Sequence, residues 1–178
     1  MNDSQRLAHR SCCTEDTFMD KHTRNRLIAR YKEGHLVVAA ALEGATETEL
    51  DARPAPGKWS AREIVHHLAD SEMTSAIRLR MLVAEEHAQI HAYDQELFAR
   101  TLHYDRPIAT SLQAFQAARA STGDLLDRMT EAQWAKAGTH PEHDRYDVER
   151  WLEVYADHAH NHADQITRAR ASGSRRDT

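Results

Sequence analysis

The feature that most constrains this chain is the start signal in WSAREIVHHL. Ser60 followed by Glu63 forms a capping box, in which the serine and glutamate side chains satisfy each other's orphan amides at a helix N-terminus. A long helix from Ala61 to about Glu86 is expected to follow. Gly 6 and Pro 4 are few in 178 residues, and no run alternates apolar and polar residues with β-branched enrichment long enough to suggest a sheet. The chain reads as mostly helical.

Three further long helices are predicted. The first runs from about His22 to Glu43, with Leu27, Ile28, Tyr31, His35, Leu36, Val38, Ala39 and Leu42 at apolar helical spacing. EGATETELDARPAPGKW then reads as a turn-rich connection, because Pro54 and Pro56 forbid helix. A short helix through QELFARTL precedes the next long one, from about Ala109 to Met129. EAQWAKAGTHPEHDRYD reads as loop with a short turn, and the last helix begins after Asp147 as N-cap and reaches about Ala171. Helices of this length and number make an all-α four-helix bundle with long crossover loops the economical fold. Residues 1–20 read as a disordered leader, 21–171 as the bundle and 172–178 as a basic, solvated tail.

A formal charge of -5 gives no general field for nucleic acid, and no apolar run is long enough to span a membrane. No secretory signal pattern opens the chain, so a soluble, cytoplasmic protein is expected. The two cysteines, Cys12 and Cys13, are adjacent in the leader and provide neither a disulfide framework nor a CxxC spacing.

The histidines carry the chemistry. In YADHAHNHADQITRAR, His158 and His162 are four apart and share a helix face with Trp151, Val154, Tyr155, Gln165 and Ile166, so they should point inward and His160 outward. Two imidazoles one turn apart can offer lone pairs to one ion, but such a pair is weak evidence in a chain with 13 histidines. On the second long helix His67 sits among Trp59, Ile64, Leu68 and Ser71, and His66 is turned away and should be at the surface. A histidine such as His67 amid apolar residues needs either a hydrogen-bond acceptor or a metal.

PGKWSAREIVHHLADSE (Pro56 to Glu72) and DHAHNHADQI (Asp157 to Ile166) resemble the two signature segments of the DinB/YfiT-like superfamily of metal-binding four-helix bundles. The resemblance covers about Leu27 to Thr167. It implies that the histidine directly before leucine in the first segment, and the two of HxxxH in the second, are metal ligands: His67, His158 and His162. Three histidine ligands leave a position for water or substrate, the pattern of a catalytic site. Zinc is the first expectation, and nickel, iron or manganese could take its place.

The resemblance implies two kinds of activity: metal-dependent hydrolysis, through a water made acidic on the metal, and reactions of a low-molecular-weight thiol such as bacillithiol, mycothiol or glutathione. Thiol S-transfer is the leading expectation and hydrolysis the alternative. A non-catalytic, stress-related metal-binding module is a third reading. A small-molecule substrate, a thiol cosubstrate and a homodimer through an exposed bundle face are the expected partners.

Around the ligands, Ser71, Ser75 and Arg78 follow His67 at spacings of four, eight and eleven and could line a pocket, with Arg78 holding a substrate carboxylate or instead reaching solvent. Gln165 could orient a ligand histidine. Capping accounts for Glu63, Asp157 and Asp164 point off the inward stripe, and Trp59 and Trp151 are expected in the core. His87, His91, His103, His140 and His143 have no mutual spacing that makes a site.

Overall fold

The structure, a computed structural model, describes residues 19–174 apart from the side chains at positions 143–145 and 174. Its elements are α1 (Lys21–Leu42), α2 (Glu47–Asp51), α3 (Ala61–Ala84), α4 (Gln95–Thr101), α5 (Ala109–Leu126), α6 (Glu131–Trp134), β1 (Ala137–His140), β2 (His143–Asp147) and α7 (Val148–Ser174). The four long helices α1, α3, α5 and α7 form the expected four-helix bundle.

Side-chain pairs give the directions. Arg24 meets Glu149, Arg30 meets Asp157 and Arg170 reaches the Ala41 carbonyl, so α1 and α7 run parallel. His66 meets Ser111 and Arg80 meets Thr122, so α3 and α5 are parallel too. The two pairs oppose each other, because the Trp151 indole donates to the Ser75 carbonyl while His158 lies against His67. The 85–108 connection must therefore return along the length of the bundle, and it carries α4 against α3.

The Ser60/Glu63 capping box is formed, and Asp20 and Asp147 accept amide hydrogens at the starts of α1 and α7. Three segments depart from expectation. Thr46 and Glu49 make a second capping box that starts α2 inside the supposed turn-rich connection. The segment expected to be loop holds α6 and an antiparallel β1–β2 hairpin, against which Gln89 forms an isolated parallel bridge, with a bond from the Ile90 amide to the Thr139 carbonyl. Finally α7 passes through Gly173 to Ser174, where a Cβ on Gly173 would stand 2.9 Å from the Ala52 Cβ; glycine lets α2 close onto the helix. Residues 1–18 of the expected leader, with Cys12 and Cys13, and 175–178 of the tail lie outside the described residues. Among the described residues no helix is long and apolar enough to cross a membrane.

The core has two apolar clusters. One gathers Leu79, Leu82, Trp134, Trp151 and Leu152 beside the hairpin; the other gathers Val38, Leu50, Ile64, Leu68, Phe115 and Ile166. Between them lies a buried polar layer. Arg119, 1 % exposed, donates to the Glu72 carboxylate (2.7 Å) and to the Tyr31 and Tyr155 carbonyls (2.8 and 2.9 Å), and the Tyr31 hydroxyl completes Glu72. A Cβ at Gly34 would stand 2.7 Å from both Arg119 Cζ and Ala159 Cβ, so this layer requires glycine there.

Candidate metal centre

Helix α3 contributes His67 and α7 contributes His158 and His162, and antiparallel packing brings the three rings face to edge. Their centroids are 5.3 Å (His67 to His158), 4.8 Å (His67 to His162) and 4.6 Å (His158 to His162) apart. One nitrogen from each lies within 4.8 Å of the others. The Nε2 atoms of His67 and His158 are 3.4 Å apart. That is long for a hydrogen bond, and two ligands sharing a tetrahedral ion at bond lengths of about 2.0–2.1 Å sit about 3.3–3.4 Å apart.

The protonation states suit ligation. Burial holds His67 down to about 3, assisted by the nearby His162, and burial holds His162 down to about 4. His158 is pushed well below the ordinary imidazole value by burial and then by its neighbours His162, His67 and Arg119. All three are therefore neutral near pH 7, the form that offers a lone pair. His162 Nδ1 lies 3.1 Å from Gln165 Oε1; as donor to that oxygen it leaves Nε2 free to bind. His158 Nδ1 is buried without a hydrogen-bond partner among the described residues, while its Nε2 faces His67 Nε2 as the ligand atom. The donor set fits a divalent first-row metal.

The neighbours divide. Gln165 stands where the sequence suggested. Ser71 and Ser75 are buried, but the Ser75 hydroxyl donates to the Glu72 carbonyl at 3.1 Å and so faces its own helix. Arg78 is half-buried, with its terminal nitrogens donating to the His91 carbonyl and the Tyr155 hydroxyl. Glu63 is consumed by the cap and by Arg53. Trp151 is core, whereas Trp59 is half-buried with its ring 4.8 Å from that of His67.

Two histidines were misplaced by periodicity. His66 is fully buried, its Nε2 donating to the Arg106 carbonyl (2.9 Å) and its Nδ1 accepting from the Ser111 hydroxyl (2.7 Å). The expectation of a surface position failed because the returning 85–108 connection and α5 cover that side of α3. His160 is half-buried rather than solvent-facing, since α1 packs over it and Nε2 donates to the Arg30 carbonyl at 3.0 Å. His87, His91 and His103 are exposed, and His140 stacks on Tyr146. None joins the cluster.

Comparison with known proteins places this geometry. The DinB superfamily profile matches residues 30–166. A protein of Oceanobacillus iheyensis named a "putative metal-dependent hydrolase" is 32% identical over 119 residues, covering 67% of this chain and 69% of its own. YfiT of Bacillus subtilis, which carries the same description, is 29% identical over 151 residues, covering 84% and 85%. The YfiT structure, described as "a probable metal-dependent hydrolase with an unusual four-helix bundle topology", superposes with a TM-score of 0.79 over 89% of each chain.

Proposed function

The chain belongs to the DinB superfamily, and on that premise we propose that it is a metal-dependent enzyme that joins a low-molecular-weight thiol, through its sulfur and with loss of the thiol proton, to an electrophilic small molecule. The observation that carries the metal is the convergence of His67, His158 and His162 as neutral imidazoles with ligand atoms within 4.8 Å of one another. Zinc is the ion this donor set suits first. Bound there, a divalent ion makes a thiol or water acidic near neutral pH.

The surroundings favour the thiol. Hydrolysis is helped by a side chain that takes a proton from water, and the carboxylates near the ligands are engaged elsewhere or face solvent. Glu72 is held by Arg119 and Tyr31, Asp70 accepts the Tyr104 hydroxyl hydrogen, Asp157 pairs with Arg30, and Asp164 is exposed. A thiol has a much lower pKa than water and needs less help. The chain's part is to fix three imidazoles, through Gln165 for His162 and the Trp59 ring for His67. Hydrolysis is the second reading, supported by the descriptions of the relatives.

The test is to incubate zinc-loaded protein with glutathione and a bimane electrophile, and separately with a panel of activated esters and amides. Thioether formation that disappears in His158→Ala is the expected result. Ester or amide cleavage without thioether formation would replace transfer by hydrolysis.

A further inference from the structure

Between the loop preceding α3 and the C-terminal half of α7 lies a cavity of about 430 Å³, within the range of small-molecule sites. Two of its walls are shared with the metal centre. Trp59 lines it and sets its ring, tilted by 51°, 4.8 Å from that of His67; Gln165 lines it and bonds to His162. Ile64 adds apolar surface, and two exposed cations, Lys58 and Arg168, complete the lining. Neither cation has a side-chain partner among the described residues, and no carboxylate lines the cavity.

The position of Lys58 is built rather than incidental. Arg53 ties the loop down by donating to the Lys58 carbonyl (3.0 Å) and the Glu63 carboxylate (2.6 Å). The Lys58 amide returns to the Ala55 carbonyl at 3.1 Å, around Gly57 at φ 72°, a conformation glycine takes without cost. Arg168 stands six residues beyond His162, which is about 9 Å along α7.

We infer that this cavity binds the carboxylate-bearing end of the thiol cosubstrate, with Lys58 and Arg168 holding the carboxylates, Trp59 covering the chain of the ligand between them, and the sulfur directed to the three histidines. The inference rests on the thiol-transfer reading and specifies its substrate: a peptide-sized acidic thiol. Arg78 does not line this cavity; its terminal nitrogens donate to the His91 carbonyl and the Tyr155 hydroxyl.

The test is calorimetric titration of the metal-loaded full chain with S-methylglutathione, whose sulfur is blocked, and with its diethyl ester. The free acid should bind more tightly than the ester. Lys58→Met and Arg168→Met should each weaken the acid about fivefold, and both together about tenfold or more, with ester binding, metal content and helical circular dichroism unchanged. Equal binding of acid and ester, unchanged acid binding in the double variant, or no acid binding at millimolar concentration would overturn the assignment. A cobalt-substituted sample titrated with glutathione separates the two ideas. Charge-dependent binding without a sulfur-to-cobalt absorption band sinks the thiol reading alone; a band of equal affinity in wild type and double variant sinks the cavity alone.

Discussion

Gln165 is the residue near the three histidines whose contribution can be separated from theirs. It offers its side-chain oxygen to His162 Nδ1 at 3.1 Å and so selects the tautomer that leaves Nε2 available. Gln165→Leu, similar in size, should lower metal affinity about ten- to a hundredfold in competition with a chelator, with the helical signal unchanged. An unaltered affinity would remove the positioning role. His160 provides the contrast inside the same HxxxH: His160→Ala should keep its metal and lose only the bond to the Arg30 carbonyl, about 1 kcal/mol in urea denaturation. Loss of metal from His160→Ala would mean that the wrong pair of histidines has been chosen.

Among the elements, the contact of α3 with α5 is where stability is concentrated in few groups. Glu72 and Arg119 form an ion pair at 0% and 1% side-chain exposure, roofed by Tyr31 of α1 and the α7 backbone. Removing one charge leaves the other buried and uncompensated, so Glu72→Gln should cost about 3–5 kcal/mol. Gly34→Ala forces a methyl against Arg119 and Ala159 and should cost about 1–3 kcal/mol. Urea midpoints measure both; a wild-type midpoint for Glu72→Gln would show that the pair contributes little. The four long helices were legible because apolar periodicity and caps are local signals. The β1–β2 hairpin was not, because its short strands, Ala137–His140 and His143–Asp147, lack alternation and are held by pairing with each other and with Gln89–Ile90.

For the whole molecule, burying neutral imidazoles makes folding sensitive to acid. An unfolded histidine titrates near 6.5, whereas His67 in the fold is held down to about 3 and His162 to about 4. Above pH 6.5 both states are neutral and nothing changes. As pH falls below that value the unfolded chain takes up protons that the folded chain refuses, so stability is lost, by about 1.4 kcal/mol per pH unit for His67. Urea midpoints of chelator-treated protein should fall from pH 7 to pH 5, and less steeply in His67→Gln; identical midpoints would contradict buried neutral rings. Chelation itself should leave the helices intact at pH 7, because the two apolar clusters form without an ion. The sequence by itself determined the four long helices, the Ser60 and Asp147 caps and the segments carrying His67, His158, His162 and Gln165, since helical periodicity and capping are read within a few turns of chain. Only the tertiary structure decided that His66 is buried and His160 half-buried, that Arg78 bonds to the His91 carbonyl and that Lys58 and Arg168 share a cavity with Trp59. Those outcomes depend on which distant segment covers each face, and the spacing of residues along one helix carries no record of its neighbours.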